Sequence, residues 1–430
     1  MPDTYTAPVA FADQEYLPDT DFHLTLLFSC LNGSDVRYTL LSDFESEFKS
    51  PDIDLFVHPA DRNSFERIIF SLSWYRRKEL AYHKNHNFYY MPGLDVHLDI
   101  KYEATFAKGT DKCFTYSNFD KPEVDRVLNC KGVYRPAGFD AIILYAAHLA
   151  YKERGKLEER HKLCLEQYID RYKAEVAPEQ QSIVQEIQRW LQNCSTNDTA
   201  RLQEIIKPYF KVEERPMTRS QGFKYGYGLK VLFIGTDGSG KTTLIEAIGE
   251  KLSIKHKKLY LGSGESNWSS KFMKGLYTRK YSNRYLNKIN TLLKHYVLLP
   301  LEYMLRIAPV FRKSRYMITL IDRFPGFVFL DKKPVLNFIY RLILPKPDLV
   351  FFLYASPEVL VKRKPEETTL ERSINDIRRF RKVAEIVSKG SYRSIDTSAL
   401  TINEARDVLL SEISNHPVLY RKLFTQIPCK

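Results

Sequence analysis

Residues 235–243 decide the fold of the second half of the chain: Gly235-Thr236-Asp237-Gly238-Ser239-Gly240-Lys241-Thr242-Thr243. They match the pattern G-x-x-x-x-G-K-[ST], in which the backbone N–H groups of a glycine loop surround phosphates. The flanks agree with this, because residues 229–234 predict a buried strand and residues 244–252 predict a helix. We therefore expect a strand, a loop and the positive end of a helix to bind a nucleoside triphosphate together.

Two side chains of this loop have expected roles of their own. Lys241 is expected to reach the β and γ phosphates, and the Thr242 hydroxyl is expected to bind Mg²⁺. The remaining residues, 235–240 and Thr243, are expected to surround the nucleotide. The alternative is a glycine turn that matches the pattern by chance, and the strand and helix on either side argue against it.

Strands and helices alternate from this loop to the end of the chain. Because crossover helices separate the strands, the pattern predicts an α/β domain with a doubly wound parallel sheet, whose ligand lies beyond the carboxyl ends of the strands. The expected strands are 231–234, 258–261, 317–321, 349–354 and 392–395. The expected helices are 241–252, 283–307, 357–363, 371–387 and 402–413.

The size and composition of the chain predict more than one domain. The 430 residues, of which 44% are hydrophobic, exceed the usual size of one domain and can fill several cores. The stretch 212–228 contains Pro216 and three glycines, as is typical of a linker. We predict an arm at 1–20, an α+β domain at 21–135, a helical extension at 136–211, the linker, an α/β domain at 229–415 and a tail at 416–430.

Charge divides the chain into unequal halves. Residues 216–430 contain 38 Lys and Arg against 18 Asp and Glu, a net charge of +20, whereas residues 1–215 contain 27 against 34, a net charge of −7. The basic half could serve polyanionic substrates, nucleic acid or an anionic membrane surface, or could have a solvated basic face. The six scattered cysteines, without a C-x-x-C pair or a secretory signal, favour a cytoplasmic protein. The longest apolar run, 296–311, contains two charges and is too short to span a bilayer.

Two further segments and one absence favour a kinase among triphosphate-binding proteins. The predicted strand 317–321 ends in Asp322-Arg323-Phe324, where an acid can bind Mg²⁺ through water and an arginine can bridge two phosphate groups. The charged segment 362–367 follows the strand 349–354, where a mobile lid would close. The Asn-Lys-x-Asp element of GTPases is absent from the sequence.

The stretch 229–415 resembles the thymidylate kinase family of P-loop nucleoside-monophosphate kinases. The likeness rests on the glycine loop with its acid at Asp237 and on Asp322-Arg323-Phe324, which is similar to the family's Asp-Arg-Tyr. A Pro-Asp strand, Ser356-Pro357-Glu358 and a basic lid extend it. The resemblance implies a doubly wound P-loop fold, ATP and Mg²⁺ as cofactors, and transfer of the γ-phosphoryl group of ATP to an acceptor phosphate.

The resemblance also implies roles for single residues. Asp237 would contact the sugar of the acceptor, and Arg323 would hold its phosphate. A lid cation would stabilise the moving phosphoryl group, because Gly238 leaves the loop without one; the alternative for each lid cation is a solvated surface charge. The candidates for this role, with the preferred two first, are Arg372, Arg363, Lys364 and Arg379.

Two departures from the family pattern bear on the acceptor. Where the family has Arg-Glu-Pro-Gly, the chain has Leu261-Gly262-Ser263-Gly264-Glu265-Ser266-Asn267. The basic and aromatic insert 268–315 has no counterpart in a compact thymidylate kinase. We therefore expect an acceptor other than TMP.

The first half of the chain predicts a mixed region followed by helices. Expected strands are 38–41, 53–57, 88–91 and 97–102, with a helix at 60–74. Expected helices of the extension are 138–154, 157–176, 179–193 and 199–207.

Three carboxylates stand out in this first half. Asp52 and Asp54 lie two residues apart on one predicted strand and share its side, and Asp99 lies on another predicted strand. Three carboxylates on neighbouring strands can hold the two Mg²⁺ ions of a phosphoryl or nucleotidyl transfer site. This pattern resembles the nucleotidyltransferase superfamily and implies nucleotidyl transfer, with residues 136–211 as its helical partner. The alternatives are a retired site kept for binding and a surface strand with solvated acids.

The Gly-Ser element and the histidines of this half do not extend the predicted metal site. The Gly-Ser that the nucleotidyltransferase family has before its acids appears as Ser42-Asp43, and Gly33-Ser34 is expected to end a helix. His83, His86 and His97 fit no standard zinc spacing.

The sequence thus predicts an ATP- and Mg²⁺-dependent kinase for a small acceptor, such as a sugar, a sugar phosphate or a nucleotide. Its reaction would be coupled to nucleotidyl transfer by the first half. One alternative is a nucleoside-monophosphate kinase that acts on TMP. Another is an ATP-gated protein that binds nucleic acid or a membrane surface, although no nucleic-acid motif is present. The chain could also form a homodimer, for which the sequence gives no direct signal.

Overall fold

Two units make up the described part of the chain. A computed structural model describes residues 19–41, 52–78, 86–107, 112–120, 126–152, 159–193, 199–214, 228–262, 268–280, 282–313, 317–331 and 333–425. The units are Asp19–Gln221 and Gly222–Lys430, and each is considered by itself. The predicted arm up to residue 18, most of the predicted linker and residues 426–430 lie outside the described residues.

A five-stranded sheet organises the first part of the N-terminal unit. Its strands are β1 (Tyr38–Leu40), β2 (Asp52–Val57), β3 (Tyr75–Arg76), β4 (His86–Tyr90) and β5 (His97–Lys101). They lie in the order β1-β2-β5-β4-β3, with β2 and β5 parallel and the other pairs antiparallel. The helices α1 (Thr20–Asn32) and α2 (Arg62–Ser71) bury their apolar sides in the same core. The helix predicted at 60–74 is shorter because the backbone turns at Ser73, where φ is 63°.

A helical layer and short strands form the second part of this unit. The strands are β6 (Thr105–Ala107), β7 (Lys112–Tyr116), β8 (Arg126–Leu128), β9 (Tyr134–Pro136) and β10 (Phe210–Glu214). The helices are α3 (Gly138–Ala147), α4 (Glu159–Tyr172), α5 (Gln181–Asn193) and α6 (Thr199–Ile206). The linker predicted from residue 212 is wrong for residues 212–214, because β10 pairs antiparallel with β7 and anchors Phe210 against Tyr116.

A five-stranded parallel sheet forms the centre of the C-terminal unit, as the sequence predicts. Its strands are β11 (Leu229–Gly235), β12 (His256–Tyr260), β13 (Ile318–Asp322), β14 (Leu349–Tyr354) and β15 (Arg393–Asp396). They lie in the order β12-β13-β11-β14-β15, and every neighbouring pair is parallel. Leu232 and Ile234 on one face of β11, and Val231 and Phe233 on the other, are all buried. Both faces of the sheet are therefore covered, as in α/β folds.

Nine helices of the described C-terminal residues connect and cover these strands. They are α7 (Lys241–Lys251), α8 (Lys271–Thr278), α9 (Arg284–Leu293), α10 (Leu299–Lys313), α11 (Pro334–Ile343), α12 (Pro357–Arg363), α13 (Leu370–Ser388), α14 (Ile402–Ser414) and α15 (Pro417–Leu423). On one face of the sheet, α10, α11 and α13 share a core with the strands.

Two predictions for this unit need correction. The helix expected at 283–307 consists of α9 and α10, joined by a π-helical turn at Lys294–Leu298. The tail expected at 416–430 contains α15, which buries Leu419 and Leu423. Lys422 of α15 also contacts Asp348, at 2.7 Å between Nζ and Oδ2.

Candidate active site

The glycine loop joins the central strand β11 to α7 through backbone that requires glycine at three positions. A Cβ atom at Gly235 would lie 2.0 Å from the carbonyl oxygen of Leu353 on β14. Gly238 and Gly240 have positive φ values of 85° and 82°, which side chains disfavour. The residue types of the motif therefore follow from the close strand pairing and the sharp turns.

The loop opens onto the N-terminus of α7. Gly240 is the residue before this 11-residue helix, and no side chain caps the helix there. The N–H groups of a first helical turn have no partner within the helix, and the helix dipole makes this end positive. The loop therefore provides donors and positive potential for an anion at the carboxyl end of β11.

Lys241 lies inside the loop and is only 8% exposed. Its Nζ donates a hydrogen bond to the Thr236 carbonyl oxygen at 2.6 Å. Burial lowers the pKa of Lys241 to about 8, although the nearby Asp237 carboxylate opposes the shift. The ammonium is therefore held beside the loop, and a polyphosphate would restore its ordinary pKa.

This pKa predicts how ATP binding depends on pH. Below pH 8 Lys241 is charged, and the ATP affinity should change little. Above pH 8 the free protein loses this proton and binding must take it back, so Kd should rise about tenfold per pH unit. Calorimetry at pH 9 in two buffers of different ionisation enthalpy should show uptake of about one proton. A Lys241→Met variant should show neither the rise in Kd nor the proton uptake. A wild-type Kd for ATP that stays constant from pH 7 to 9 would contradict this role of Lys241.

Thr242 and Asp322 form the candidate Mg²⁺ site. Asp322 ends β13, which is the neighbour of β11, and its carboxylate is completely buried. The Thr242 Oγ1 donates to Asp322 Oδ2 at 3.1 Å, while Asp322 Oδ1 is buried without a hydrogen-bond partner. Mg²⁺ prefers a few oxygen ligands together with substrate phosphates and water. A hydroxyl and a carboxylate with an unused oxygen beside a phosphate-binding loop fit that ion.

Arg323 directly follows Asp322 and turns back toward the loop. Its φ of 55° is uncommon for a residue other than glycine, and such strain is found at sites where the surroundings fix one conformation. Its Nη1 lies 3.1 Å from Asp237 Oδ1, and both side chains are about half exposed. The two residues to which the family resemblance assigns the acceptor thus lie side by side at the edge of the loop.

The arginines expected in the lid take different positions. Arg363, the last residue of α12, donates to the Gly238 carbonyl oxygen at 3.1 Å and to the Thr397 carbonyl oxygen at 2.7 Å. Arg372 donates to the Glu367 carbonyl oxygen at 3.0 Å and is largely exposed. Arg363 therefore holds the glycine loop through a direct hydrogen bond. The backbone contact of Arg372 is instead with Glu367 of the basic segment.

A cavity of about 330 Å³ lies between the glycine loop and this basic segment. Acidic and basic groups alternate along it: Lys364 pairs with Glu367 at 2.7 Å, and Arg372 lies 3.7 Å from Asp376. It is lined by Thr236, Asp237, Leu360, Lys364, Glu366, Glu367, Thr368, Arg372, Ser373 and Asp376. The cavity is polar and large enough for a phosphorylated small molecule. Arg379 is placed elsewhere, over the ring of Phe327 at 4.5 Å.

The sequence did not single out Thr397, which links several parts of the site. Its hydroxyl lies within hydrogen-bond distance of two carbonyl oxygens, that of Ser239 at 3.3 Å and that of Tyr354 at 3.1 Å. Thr397 thereby ties the glycine loop to the ends of β14 and β15. The available signal was the polar run Asp396-Thr397-Ser398 directly after a strand, where ligand-binding residues of parallel sheets lie.

The segment that departs from the thymidylate kinase pattern is anchored at both ends. Residues 263–267 lie outside the described residues, but Gly262 and Ser269 bracket them. Glu302 on α10 accepts from the Ser269 N–H and from Arg306, each at 2.6 Å, and Arg306 donates to the Gly262 carbonyl oxygen at 2.7 Å. Burial would raise the pKa of Glu302, but these hydrogen bonds outweigh it and lower the pKa. The helix α10 thus fixes Gly262 and Ser269, which bracket this segment, and the Leu261 N–H donates to the Asp322 carbonyl oxygen at 2.9 Å.

The three N-terminal carboxylates lie on one face of the first sheet, which the sequence predicts only for Asp52 and Asp54. The parallel pairing of β2 with β5 puts Asp54 opposite Asp99 and Asp52 opposite His97. Each acid has a basic partner: Asp52 lies 2.8 Å from His97 Nε2, Asp54 lies 2.5 Å from Lys101 Nζ, and Asp99 contacts His86. Among the described residues, no three His, Cys, Asp or Glu side chains are grouped to hold a metal ion.

Lys101 occupies the centre of this cluster. Burial would lower its pKa, but the carboxylates of Asp54, Asp99 and Asp52 together raise it. The ammonium therefore stays charged and balances acids that a divalent cation would otherwise neutralise. Gly33 ends α1, as expected, while His83 and Ser42-Asp43 lie outside the described residues.

Removal of this ammonium should destabilise the N-terminal unit. Lys101→Met leaves Asp54 and Asp99 near each other without their cation, which should cost about 3–5 kcal/mol in the free energy of unfolding. Millimolar Mn²⁺ should restore part of that loss in the variant, because a divalent cation can replace the ammonium. Thermal melts of wild type and variant with and without Mn²⁺ test this. A variant as stable as the wild type would contradict the role given to Lys101.

Comparisons with known proteins give a partial likeness. No protein-family model matches the chain, and no curated protein matches it. Among solved structures, thymidylate kinase from Candida albicans is 21% identical, with a TM-score of 0.33, over 46% of this chain and 96% of that one. Thymidylate kinase from Ehrlichia chaffeensis is 16% identical, with a TM-score of 0.29, over 43% of this chain and 98% of that one. Because these TM-scores are low, the likeness to these structures supports no conclusion about function.

Proposed function

We propose that the C-terminal unit is a kinase that transfers the γ-phosphoryl group of ATP, with Mg²⁺, to a small acceptor. The observation that carries the proposal is the contact of Thr242 with the buried Asp322 next to Lys241. A phosphate-binding loop, a buried ammonium and a carboxylate with an unused oxygen meet at the carboxyl ends of β11 and β13. Phosphoryl transfer requires little else, since its catalysis consists mainly of positioning and charge stabilisation.

Each residue has a defined part in this proposal. Lys241 and the N–H groups of the loop and α7 bind the phosphates, and Thr242 and Asp322 hold Mg²⁺, which neutralises charge that develops on the transferring group. Arg323 and Asp237 bind the acceptor at the edge of the loop. Arg372 with Lys364 stabilises the moving phosphoryl group from the lid side. Arg363 positions the loop through Gly238.

The acceptor in this proposal is a sugar, a sugar phosphate or a nucleotide other than TMP. The cavity carries charges of both signs and several hydroxyl groups, which suit a polar acceptor. A second candidate is a nucleoside-monophosphate kinase for TMP. The ion pair of Arg323 with Asp237 supports it, because the family resemblance assigns the acceptor to these two residues. The sequence of the segment after β12, which lacks the family's Arg-Glu-Pro-Gly, argues for the first candidate.

A coupled assay of ADP release over a panel of acceptors tests these candidates. The panel contains monosaccharides, sugar phosphates and nucleoside monophosphates, and each is compared with the ATPase background. A strong response to TMP would favour the second candidate. Binding of ATP without ADP release for any acceptor, including TMP, would count against a kinase.

For the N-terminal unit, we infer that nucleotidyl transfer would require Lys101 to leave Asp54. The bound ammonium takes the place at which a cation would bridge Asp54 and Asp99. The effect of Mn²⁺ on the thermal stability of Lys101→Met tests this inference. A nucleotidyl transfer step coupled to the kinase reaction would require that Mn²⁺ stabilises the variant.

A further inference from the structure

The helical insert of the C-terminal unit exposes many large apolar side chains. Nine of them, from 41% exposed at Ile289 to 72% exposed at Tyr285, lie on the continuous helix made of α9, the π-helical turn and α10. They are Tyr285, Leu286, Ile289, Leu292, Leu293, Val297, Leu301, Met304 and Leu305. Soluble proteins rarely expose contiguous apolar area of this kind without a binding role.

These residues lie on one side of the helix. They are either adjacent, as at 285/286, 292/293 and 304/305, or follow after three or four residues, a spacing that returns to the same helical face. On the opposite side, α10 buries Leu299, Tyr303 and Ile307 in the core of the unit. The exposed residues therefore belong to a second apolar side, which the core does not use.

Neighbouring helices enlarge this surface. On α11, Val335, Phe338 and Leu342 are 62%, 68% and 76% exposed, while the other side of the helix is buried. The rings of Tyr303 and Tyr340, 5.8 Å apart, place α11 beside α10. We call the exposed apolar residues of α9, α10 and α11 the insert surface.

The charge of the insert is almost entirely positive. Residues 268–315 contain eleven Lys and Arg but a single acid, Glu302. Glu302 is completely buried and pairs with Arg306, so it adds no negative charge to the exterior. On α9 the exposed Arg284 and Lys288 alternate with the apolar residues.

We propose that the insert surface binds the face of an anionic lipid bilayer. Helices that lie in the membrane interface combine an apolar side with Lys and Arg beside it, as this insert does. A symmetric contact with a second copy would bring the same positive charges together. Nucleic acid would leave the leucines without a partner. No described helix is long and apolar enough to cross a membrane.

A sedimentation assay with vesicles tests this without nucleotide, so its result is independent of the proposed kinase. The intact chain should bind vesicles of phosphatidylcholine with 30% phosphatidylglycerol at least about tenfold more tightly than pure phosphatidylcholine. Ile289→Glu with Leu293→Glu should reduce binding to the anionic vesicles at least about tenfold. Both residues are exposed, so the fold should persist. Leu163→Glu, at a leucine that is 52% exposed on α4, is the matched control and should bind as the wild type does.

The basic residues provide an independent test. Arg284→Gln and Lys288→Gln should each weaken binding to anionic vesicles about fivefold and leave weak binding to neutral vesicles unchanged. Equal binding of wild type and the double glutamate variant would overturn the proposal. So would a dimer in sedimentation velocity that the double variant dissociates, or RNA binding at low salt without vesicle binding.

Discussion

Lys241→Met should lower phosphoryl transfer from ATP about a thousandfold or more while the chain stays folded. Lys241 is the buried cation at the mouth of the glycine loop, and methionine keeps most of its length but removes the charge. Loss of one preorganised charged donor at a transferring phosphoryl group costs a factor of about 10³. The initial rate of acceptor-dependent ADP formation measures the effect, and a thermal melt checks the fold.

The matched control for this variant lies on the same helix. Lys251 is exposed in the last turn of α7, far along the helix from the loop, and Lys251→Met should keep the wild-type rate. If Lys241→Met kept full activity, every kinase interpretation of the site would be wrong. If both variants were inactive, the loss would reflect the fold and not the loop.

Asp322→Asn should lower kcat about a hundredfold to a thousandfold and raise the Mg²⁺ concentration needed for half-maximal rate. The amide has the shape of the carboxylate and can still accept from Thr242, but it is a poor ligand for Mg²⁺. Because Asp322 is buried with one oxygen unpaired, neutralisation should not lower the melting temperature. Rates over a Mg²⁺ titration measure both effects.

A second acid at a strand end serves as the control for Asp322→Asn. Asp396 ends β15, and its carboxylate accepts from the N–H of Ser398 at 2.9 Å. Asp396→Asn should therefore leave the Mg²⁺ dependence unchanged. A normal Mg²⁺ titration for Asp322→Asn would contradict the metal site.

The C-terminal sheet could be predicted because its signals are local. The buried strand before Gly235 and the helix after Lys241 are set by residues a few positions apart, and the alternation of strands with helices implies parallel order. The strand β10 and the helix α15 could not be found this way. They are stabilised by distant partners, Tyr116 for Phe210 and Asp348 for Lys422, and no local period indicates those contacts.

The candidate site was predictable in its backbone but not in its hydrogen bonds. The motif and the strand end place Thr242 and Asp322 at the carboxyl edge of the sheet, and the two meet because β11, which leads into α7, is the neighbour of β13. The role of Arg363 depends on the carbonyl oxygen of Gly238, and that contact arises only from the packing of α12 under the loop. No local sequence signal indicates this contact, so the sequence predicted Arg363 only as a lid cation.

For the N-terminal carboxylates, too, the sequence predicts part of the arrangement. Period-two alternation predicts that Asp52 and Asp54 share a face, and the parallel register of β2 with β5 brings Asp99 onto the same face. The same alternation places Lys101, two residues after Asp99, on that face as well. This signal was available in the sequence and indicates why the cluster is balanced by an ammonium.

The most direct test of the kinase is the fate of the γ-phosphoryl group. The intact chain is incubated with Mg²⁺, ATP labelled with ¹⁸O in the γ-phosphate, and a mixture of sugars, sugar phosphates and nucleotides, and the products are identified by mass spectrometry. We predict one acceptor that carries the labelled phosphoryl group, together with ADP, and no such product with Lys241→Met. Label found only in inorganic phosphate, or no ATP consumption in the presence of every acceptor class, would contradict the account.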